Sequence, residues 1–480
     1  MSAHETPTPP SKKAVAAPEV TAHLRDGLLG ALTWMLPTLA LGVLAPGLAG
    51  TDGYFHIRFA EAGPLHWGAR ELPSMRWTLF SDGGWVDHQL LFHALQWPFT
   101  LVLPLLWAAK LSAVVFAGLA GGMMTILLAQ RGVRHAYLWA GLAIATSNTL
   151  LFRMTMPRAQ SVSLFLMLLG IALTWSGRRR WLVPLGFVFA WTYQVSALLV
   201  PVVAIAGLSR RDLRAPLLAG LGVVLGFTVH PQFPTTWHFF WQHAVLKTLN
   251  QTNQIVGNEW GAIPWSEWFY SLGVLSALTL ITLMRRPRPA ADTWTAIGLA
   301  AVWLLLSRTA LKWLEYAVPF TALALALAWR DNNRSSKLIA AFLPLMVLNV
   351  AVVFETISHQ VSQPERLAAV GAALPQEDCR VVHNNWADYA ELFYHAPQCQ
   401  FIVGLDPHFI SQHDPERAGF LRGLSFGQLA NVAQVMRQVF DSDWLVVTNP
   451  MAIHTARADP LLVEVVSDDG VSLFRVQQAR

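Results

Sequence analysis

Two short strings carry most of the side chains in this sequence that could move a proton or hold a charged group. They are TDGYFHIRF at 51–59 and GWVDHQLLFH at 84–93. Carboxylates and imidazoles grouped in this way can deprotonate a hydroxyl or hold a divalent cation. Asp52 leaves an apolar run directly. At the C-terminal end of a span an aspartate opposes the negative end of the helix dipole, so it gains nothing locally and a functional reason is expected. Asp87 falls at the foot of the next apolar block, which predicts the same membrane level as Asp52 and a pocket shared by two carboxylates. His56 and His88 are expected to orient those acids or a substrate. The spacing of His56, His88 and His93 contains no HxxxH or CxxC pattern, so a zinc site has no support.

Cations gather on the same side. Arg58, Arg153, Arg158, Arg308 and Lys312 each fall at or near an outer span end, where a lipid-linked phosphate would lie. Arginine can fork two hydrogen bonds to such a group and lysine adds a point charge. The alternative for any one of them is snorkelling to lipid headgroups.

The elements that must position these groups follow from composition. With 54% hydrophobic and 13% charged residues in 480 and a mean hydropathy of +0.40, the chain is too apolar for a soluble multidomain protein. Apolar blocks begin near 27–49 and recur through 336–354, most of them long enough to cross about 30 Å of hydrocarbon as helices. A polar break at Thr192, Tyr193 and Gln194 favours two short helices over one span. With that pair, 17 of the 34 Lys and Arg fall in alternate loops, including clusters at Arg178–Arg180, Arg210–Arg214 and Arg285–Arg288. The positive-inside rule then predicts about eleven helical segments and a cytoplasmic tail at 1–26. The transmembrane domain is expected over 27–355, with outer loops at 50–98 and 230–267, in a multi-pass inner membrane protein. The net charge of +5 reports this topology and contact with lipid headgroups, with no nucleic-acid partner implied.

The last 120 residues change character. Strand-like runs RVVHN, QFIVGL, WLVVTN and LLVEVV alternate with helical stretches such as 427–440. They predict an extracytoplasmic α/β domain at 356–480 with a mostly parallel sheet. Cys379 and Cys399, the only two cysteines, each precede a predicted strand, so adjacent parallel strands would bring them together. A disulfide and two reduced thiols are both open at this point.

DGYFHIR resembles the motif after the first span of oligosaccharyltransferase catalytic subunits. With the many spans and the C-terminal domain, the layout resembles the GT-C superfamily of polyprenyl-phosphate-dependent glycosyltransferases. The resemblance puts Asp52, His56 and Arg58 on matching positions. It offers Glu259 of GNEWGAIPW as a further acid and cation ligand, and Trp386, Asp388 and Tyr389 of NNWADYAELFY as acceptor-binding residues. FRMTMPRAQ at 152–160 lacks the carboxylate of the family's second acidic motif.

What the resemblance implies is inverting transfer of a sugar from a polyprenyl-phosphate or pyrophosphate donor. The acceptor would be a glycan, lipid or protein. Asp52, Asp87 or Glu259 would serve as base, or with Asp52 and Glu259 as ligands of Mg or Mn, while Arg158, Arg308 or Lys312 would meet the phosphate. A lipid transporter or flippase and a non-catalytic envelope assembly protein are the competing readings. Inverted repeats and charges buried at mid-span, the signs of a transporter, are not evident.

Overall fold

The computed structural model describes residues 17–75, 84–246, 257–284, 290–332, 335–342, 344–359, 366–404, 410–411, 414–468 and 470–477. The tail 1–16, the cluster at Arg285, Arg286 and Arg288, and Arg334 lie outside them.

The chain opens with α1 (Ala17–Leu44) and a shorter α2 (Asp52–Glu61). After α3 (Leu90–Thr100) come α4 (Leu105–Ala129), α5 (Ala136–Ala145), α6 (Asn148–Thr155) and α7 (Gln160–Trp175). They are followed by α8 (Leu182–Thr192), α9 (Leu199–Gly207) and α10 (Arg214–Val229). The helices α11 (Trp265–Met284), α12 (Ala291–Ser307), α13 (Leu314–Ala328) and α14 (Leu345–Ser358) complete this part. Among the described residues, Thr21–Leu44, Leu105–Ala129 and Leu311–Ala328 are each long and apolar enough to cross a membrane.

The α1–α4 pair is tight because small residues let the backbones approach. A Cβ on Gly30 would sit 1.9 Å from Thr125 Oγ1. Lys110, the one charge within α4, donates to the Ala45 carbonyl just past the end of α1 at 2.7 Å. It therefore satisfies a backbone group.

Breaks between helices bring the site residues to one level. Past Ala45 the chain turns through Gly50, whose φ of +74° suits glycine, and restarts as α2. The expected block 136–152 divides at Thr146 and Ser147, where the Ser147 side chain caps α6 by accepting from Leu150 N. A third break is Pro157, which holds Met156 in extended backbone. It bends α7 by 107° from α6. The polar trio at 192–194 also ends a helix, with Tyr193 extended between α8 and α9.

A five-stranded sheet comes next in the chain: β1 (Cys379–His383), β2 (Cys399–Phe401), β3 (Trp444–Val447), β4 (Leu462–Asp468) and β5 (Val471–Val476), in the order β2-β1-β3-β5-β4. The first three are parallel, as expected. β5 was not foreseen and makes the other half antiparallel, pairing with β3 and β4. Helices α15 (Tyr389–His395), α16 (Pro415–Ser425), α17 (Val432–Gln438) and α18 (Pro450–Ala458) cover the sheet. The single helix expected over 427–440 is therefore α17, shorter, with α16 before it. Cys379 and Cys399 are register partners in β1 and β2, with Cα atoms 4.5 Å apart and sulfurs in bonding contact.

The sheet unit and α2 share one core. Tyr54 meets Tyr394 edge-on at 5.3 Å, and Phe55 lies 5.6 Å from Phe393 and 5.9 Å from Tyr389. Glu391 is buried in this region, and neither of its carboxylate oxygens has a hydrogen-bond partner. Burial first, then the charge of Asp388, pushes its pKa up to about 8 against the pull of Arg366. The folded chain then holds the Glu391 proton more tightly than the unfolded chain does. Its contribution to stability is complete below the unfolded value of 4.5 and is lost as the pH rises through about 8. Glu391→Gln is expected to flatten the fall in melting temperature between those two values. Equal slopes in the two proteins would contradict this.

Candidate active site

The Pro157 elbow separates the two arginines that organise the site. Arg153 sits in the last turn of α6 and Arg158 just beyond the proline. The opening of the ladder at this point is closed in part by Gln160, whose side chain donates to the Arg153 carbonyl at 2.9 Å.

Around them lies an alternating row of charges. Arg158 meets Asp52 at 3.3 Å and donates to Glu259 Oε2 at 3.1 Å. Arg153 donates to the same Glu259 oxygen at 3.2 Å and, through Nε, to Glu315 at 2.6 Å. Tyr193, at the α8–α9 break, stands beside Arg158. Four segments distant in sequence are thus joined through charge. Burial alone would raise the Glu259 pKa, but Arg158, Arg153 and Lys312 hold it well below the usual carboxylate range. Glu259 is therefore ionised at any physiological pH. The inner pair, Arg153 and Glu315, is almost completely enclosed, whereas Asp52 keeps 32% of its side chain open. The open end is where a substrate can enter.

The position of Asp52 corrects the dipole argument made from sequence. It is the first residue of α2, not the last of α1, so its charge suits the positive N-terminal end of a helix. Local stabilisation and the contact with Arg158 both apply. Asp87 also differs from expectation. It is 2% exposed and accepts from Gln89 N at 3.1 Å and from His93 Nδ1 at 3.0 Å. It does not share a substrate-facing pocket with Asp52; the side chains around it absorb its charge. His93 Nε2 in turn accepts from His56 Nδ1 at 2.9 Å, an order set by the Asp87 carboxylate taking the other His93 proton. Burial, then His93 and Arg158, keep the His56 pKa well below its ordinary value. His56 is thus a neutral imidazole whose tautomer is fixed from behind, four residues along α2 from Asp52. His88 stacks on Phe239 at 4.7 Å, and burial lowers its pKa to about 4.

The expected cations separate into two groups. Lys312 stacks over Trp260 and acts on Glu259, so it joins Arg153 and Arg158. Arg308 lies over Trp265 at 3.7 Å and donates to the Ile263 carbonyl at 2.9 Å, bracing the loop that carries Glu259. Arg58 turns away and pairs with Glu61. Asp388 is held by Arg366 at 3.3 Å and by Thr448 at 2.6 Å, and the Tyr389 hydroxyl meets Ser74 at 3.0 Å. Both are buried anchors of the sheet unit; Trp386 alone of the three stays partly open. Glu315 is a residue that the sequence reading passed over. Glu315 had a visible signal, an acid inside the apolar run LKWLEYAVPF.

Asp52 and Glu259 were expected as cation ligands. No group of three His, Cys, Asp or Glu suited to a metal occurs among the described residues. The two carboxylates meet across Arg158, whose guanidinium supplies the positive charge a divalent ion would bring. As placed, both carboxylates are engaged by that guanidinium.

No family model matches the sequence, and no curated protein matches it. Solved structures do match in fold. ArnT from Cupriavidus metallidurans bound to undecaprenyl phosphate has 13% identity and a TM-score of 0.56, covering 96% of this chain and 98% of that one. An Archaeoglobus fulgidus oligosaccharyltransferase, tethered to an acceptor peptide containing the NVT sequon, has 12% identity and a TM-score of 0.51. The match covers 88% of this chain and 69% of that one. A second structure of that enzyme, in complex with Zn and sulfate, gives 0.52 at 12% identity, over 87% and 67%. The chain shares its fold with these proteins.

Proposed function

We propose that this protein is a membrane glycosyltransferase that moves a sugar from a polyprenyl-phosphate donor to an acceptor on the extracytoplasmic face. The observation that carries this reading is the row Asp52–Arg158–Glu259–Arg153, open at the Asp52 end. The fold shared with a protein bound to undecaprenyl phosphate supports the donor class. The alternate-loop Lys and Arg, and the Cys379–Cys399 pair read as a disulfide, support an extracytoplasmic α/β unit over 356–480.

The lipid tail stays in the bilayer and the donor phosphate competes with Asp52 for Arg158, helped by Lys312. That exchange frees Asp52 to accept the proton of the acceptor hydroxyl. The acceptor oxygen then bonds to the anomeric carbon as the bond from that carbon to the phosphate oxygen breaks. The electron pair leaves on the polyprenyl phosphate, where Arg158 meets the added charge. A single displacement inverts the anomeric carbon. Glu259 and Glu315 hold the two arginines in place, and the Asp87–His93–His56 relay steadies α2 behind Asp52.

Because Arg158 supplies the positive charge, EDTA is expected to leave transfer from a purified polyprenyl-phosphate sugar unchanged. Loss of transfer on chelation, restored by Mg or Mn, would contradict the role given to Arg158. The reading as a whole is tested by incubating the protein in lipid nanodiscs with polyprenyl-phosphate sugars. Release of polyprenyl phosphate coupled to glycoside formation supports it, and movement of intact donor across the bilayer without bond cleavage would favour transport.

A further inference from the structure

The α/β unit carries an open crevice of about 320 Å³, separate from the charged row. It lies at the carboxyl ends of β1 and β3. His383 ends β1, Asn384 to Trp386 come directly after it, and Thr448 and Asn449 come after β3; all line the cavity. From β1 the chain winds outward to β2, then crosses back to β3 on the other side. Such a reversal leaves a crevice between the two strands, which is where open α/β sheets bind ligands. The volume lies at the lower end of the range for small organic ligands, about 300–1,000 Å³.

The chemistry of the crevice narrows the ligand. One common phosphate seat is a set of free backbone N–H groups at a helix N-terminus. Here the chain's own amides take them: Asn385 accepts from Ala387 N at 3.2 Å, Asn449 from Ala452 N at 2.8 Å and Asn384 from Thr448 N at 2.9 Å. The loop HNNWADY also lacks the glycines that let a backbone approach a pyrophosphate. The crevice then offers aromatic surface on Trp386 and Phe426, the latter 53% exposed, the exposed side chain of Arg422, which can donate to a sugar hydroxyl, and a hydroxyl-directed acceptor. His383 is fully buried and its Nδ1 donates to the Asn385 carbonyl at 2.9 Å. Its Nε2 then carries a lone pair with no hydrogen-bond partner, and the neighbouring Val403 carbonyl has no proton to give. An aromatic face beside a neutral acceptor matches a sugar ring, which has an apolar face and a rim of hydroxyls.

We propose that this crevice binds a neutral saccharide unit, with Trp386 as the stacking surface and His383 Nε2 accepting from a sugar hydroxyl. Trp386 also borders the charged site. A Cβ on Gly257 would lie 3.7 Å from Trp386 Cη2 and 3.9 Å from Glu259 Cγ. The saccharide is therefore a glycan segment of the acceptor, an extension that rests on the glycosyltransferase reading, whereas the binding itself does not.

The test is saturation-transfer NMR on the full chain in lipid nanodiscs with the methyl glycosides of glucose, galactose and N-acetylglucosamine. Transfer to at least one glycoside is expected, with binding weakened about tenfold by Trp386→Ala, the effect of one lost good contact. Phe426→Ser changes an exposed side chain, so it reports on the crevice even if the tryptophan variant does not fold; it too is expected to weaken binding. No transfer to any of the three glycosides, or equal transfer in wild type and Phe426→Ser, would overturn the proposal. Saccharide binding without sugar transfer would remove the glycosyltransferase reading and leave the crevice. Sugar transfer without saccharide binding would remove the crevice alone.

Discussion

Asp52→Asn is expected to lower the rate of sugar transfer by about 10²–10⁴-fold, the range for losing a positioned general base. Its side chain is partly open to solvent, so abundance and thermal stability should hold. Donor binding should hold or tighten, because a neutral asparagine competes less with the donor phosphate for Arg158. Turnover and donor affinity measured on the same preparation separate the outcomes. Loss of turnover alone fits a base, whereas unchanged turnover would fit a scaffold and remove Asp52 from the chemistry.

The second large effect concerns folding. Arg153 and Glu315 are each 3% exposed, and breaking such a pair from one side costs about 3–5 kcal/mol, since the remaining charge stays buried and unpaired. Arg153→Met should therefore lower the melting temperature in detergent sharply. The double variant Arg153→Met with Glu315→Met should recover most of that loss, because removing both charges leaves apolar contact in their place. A double variant as unstable as the single one would show that Arg153 acts through Glu259 instead.

The legibility of this architecture from sequence depends on the physics of each feature. Apolar length located most of the helices, and the break at Thr192–Gln194 was visible as polar residues in an apolar run. Pro157 was equally visible, yet its consequence was not, since a proline marks where a helix must end and not the 107° turn beyond it. Arg158 was flagged by type, but that it would stand between Asp52 and Glu259 depends on packing among three distant segments. Asp87 was misjudged for the opposite reason. Proximity in the chain to the membrane level of Asp52 suggested a shared pocket, and His93 intervened. In the sheet unit the strand-like runs gave β1 to β4, while VSLFRV at 471–476, which begins directly after Gly470 at a positive φ, was not singled out. The two residues of the WADY string that looked most chemical, Asp388 and Tyr389, are consumed by Arg366, Thr448 and Ser74.

Titration of undecaprenyl phosphate into the protein in nanodiscs, wild type against Arg158→Gln, bears most directly on the charged row. A charge-assisted hydrogen bond is worth about 1.5–3 kcal/mol, so the variant should bind about 10–100-fold more weakly. Equal affinity in the two proteins would mean that the lipid phosphate does not sit at Arg158, and the proposed site would be wrong.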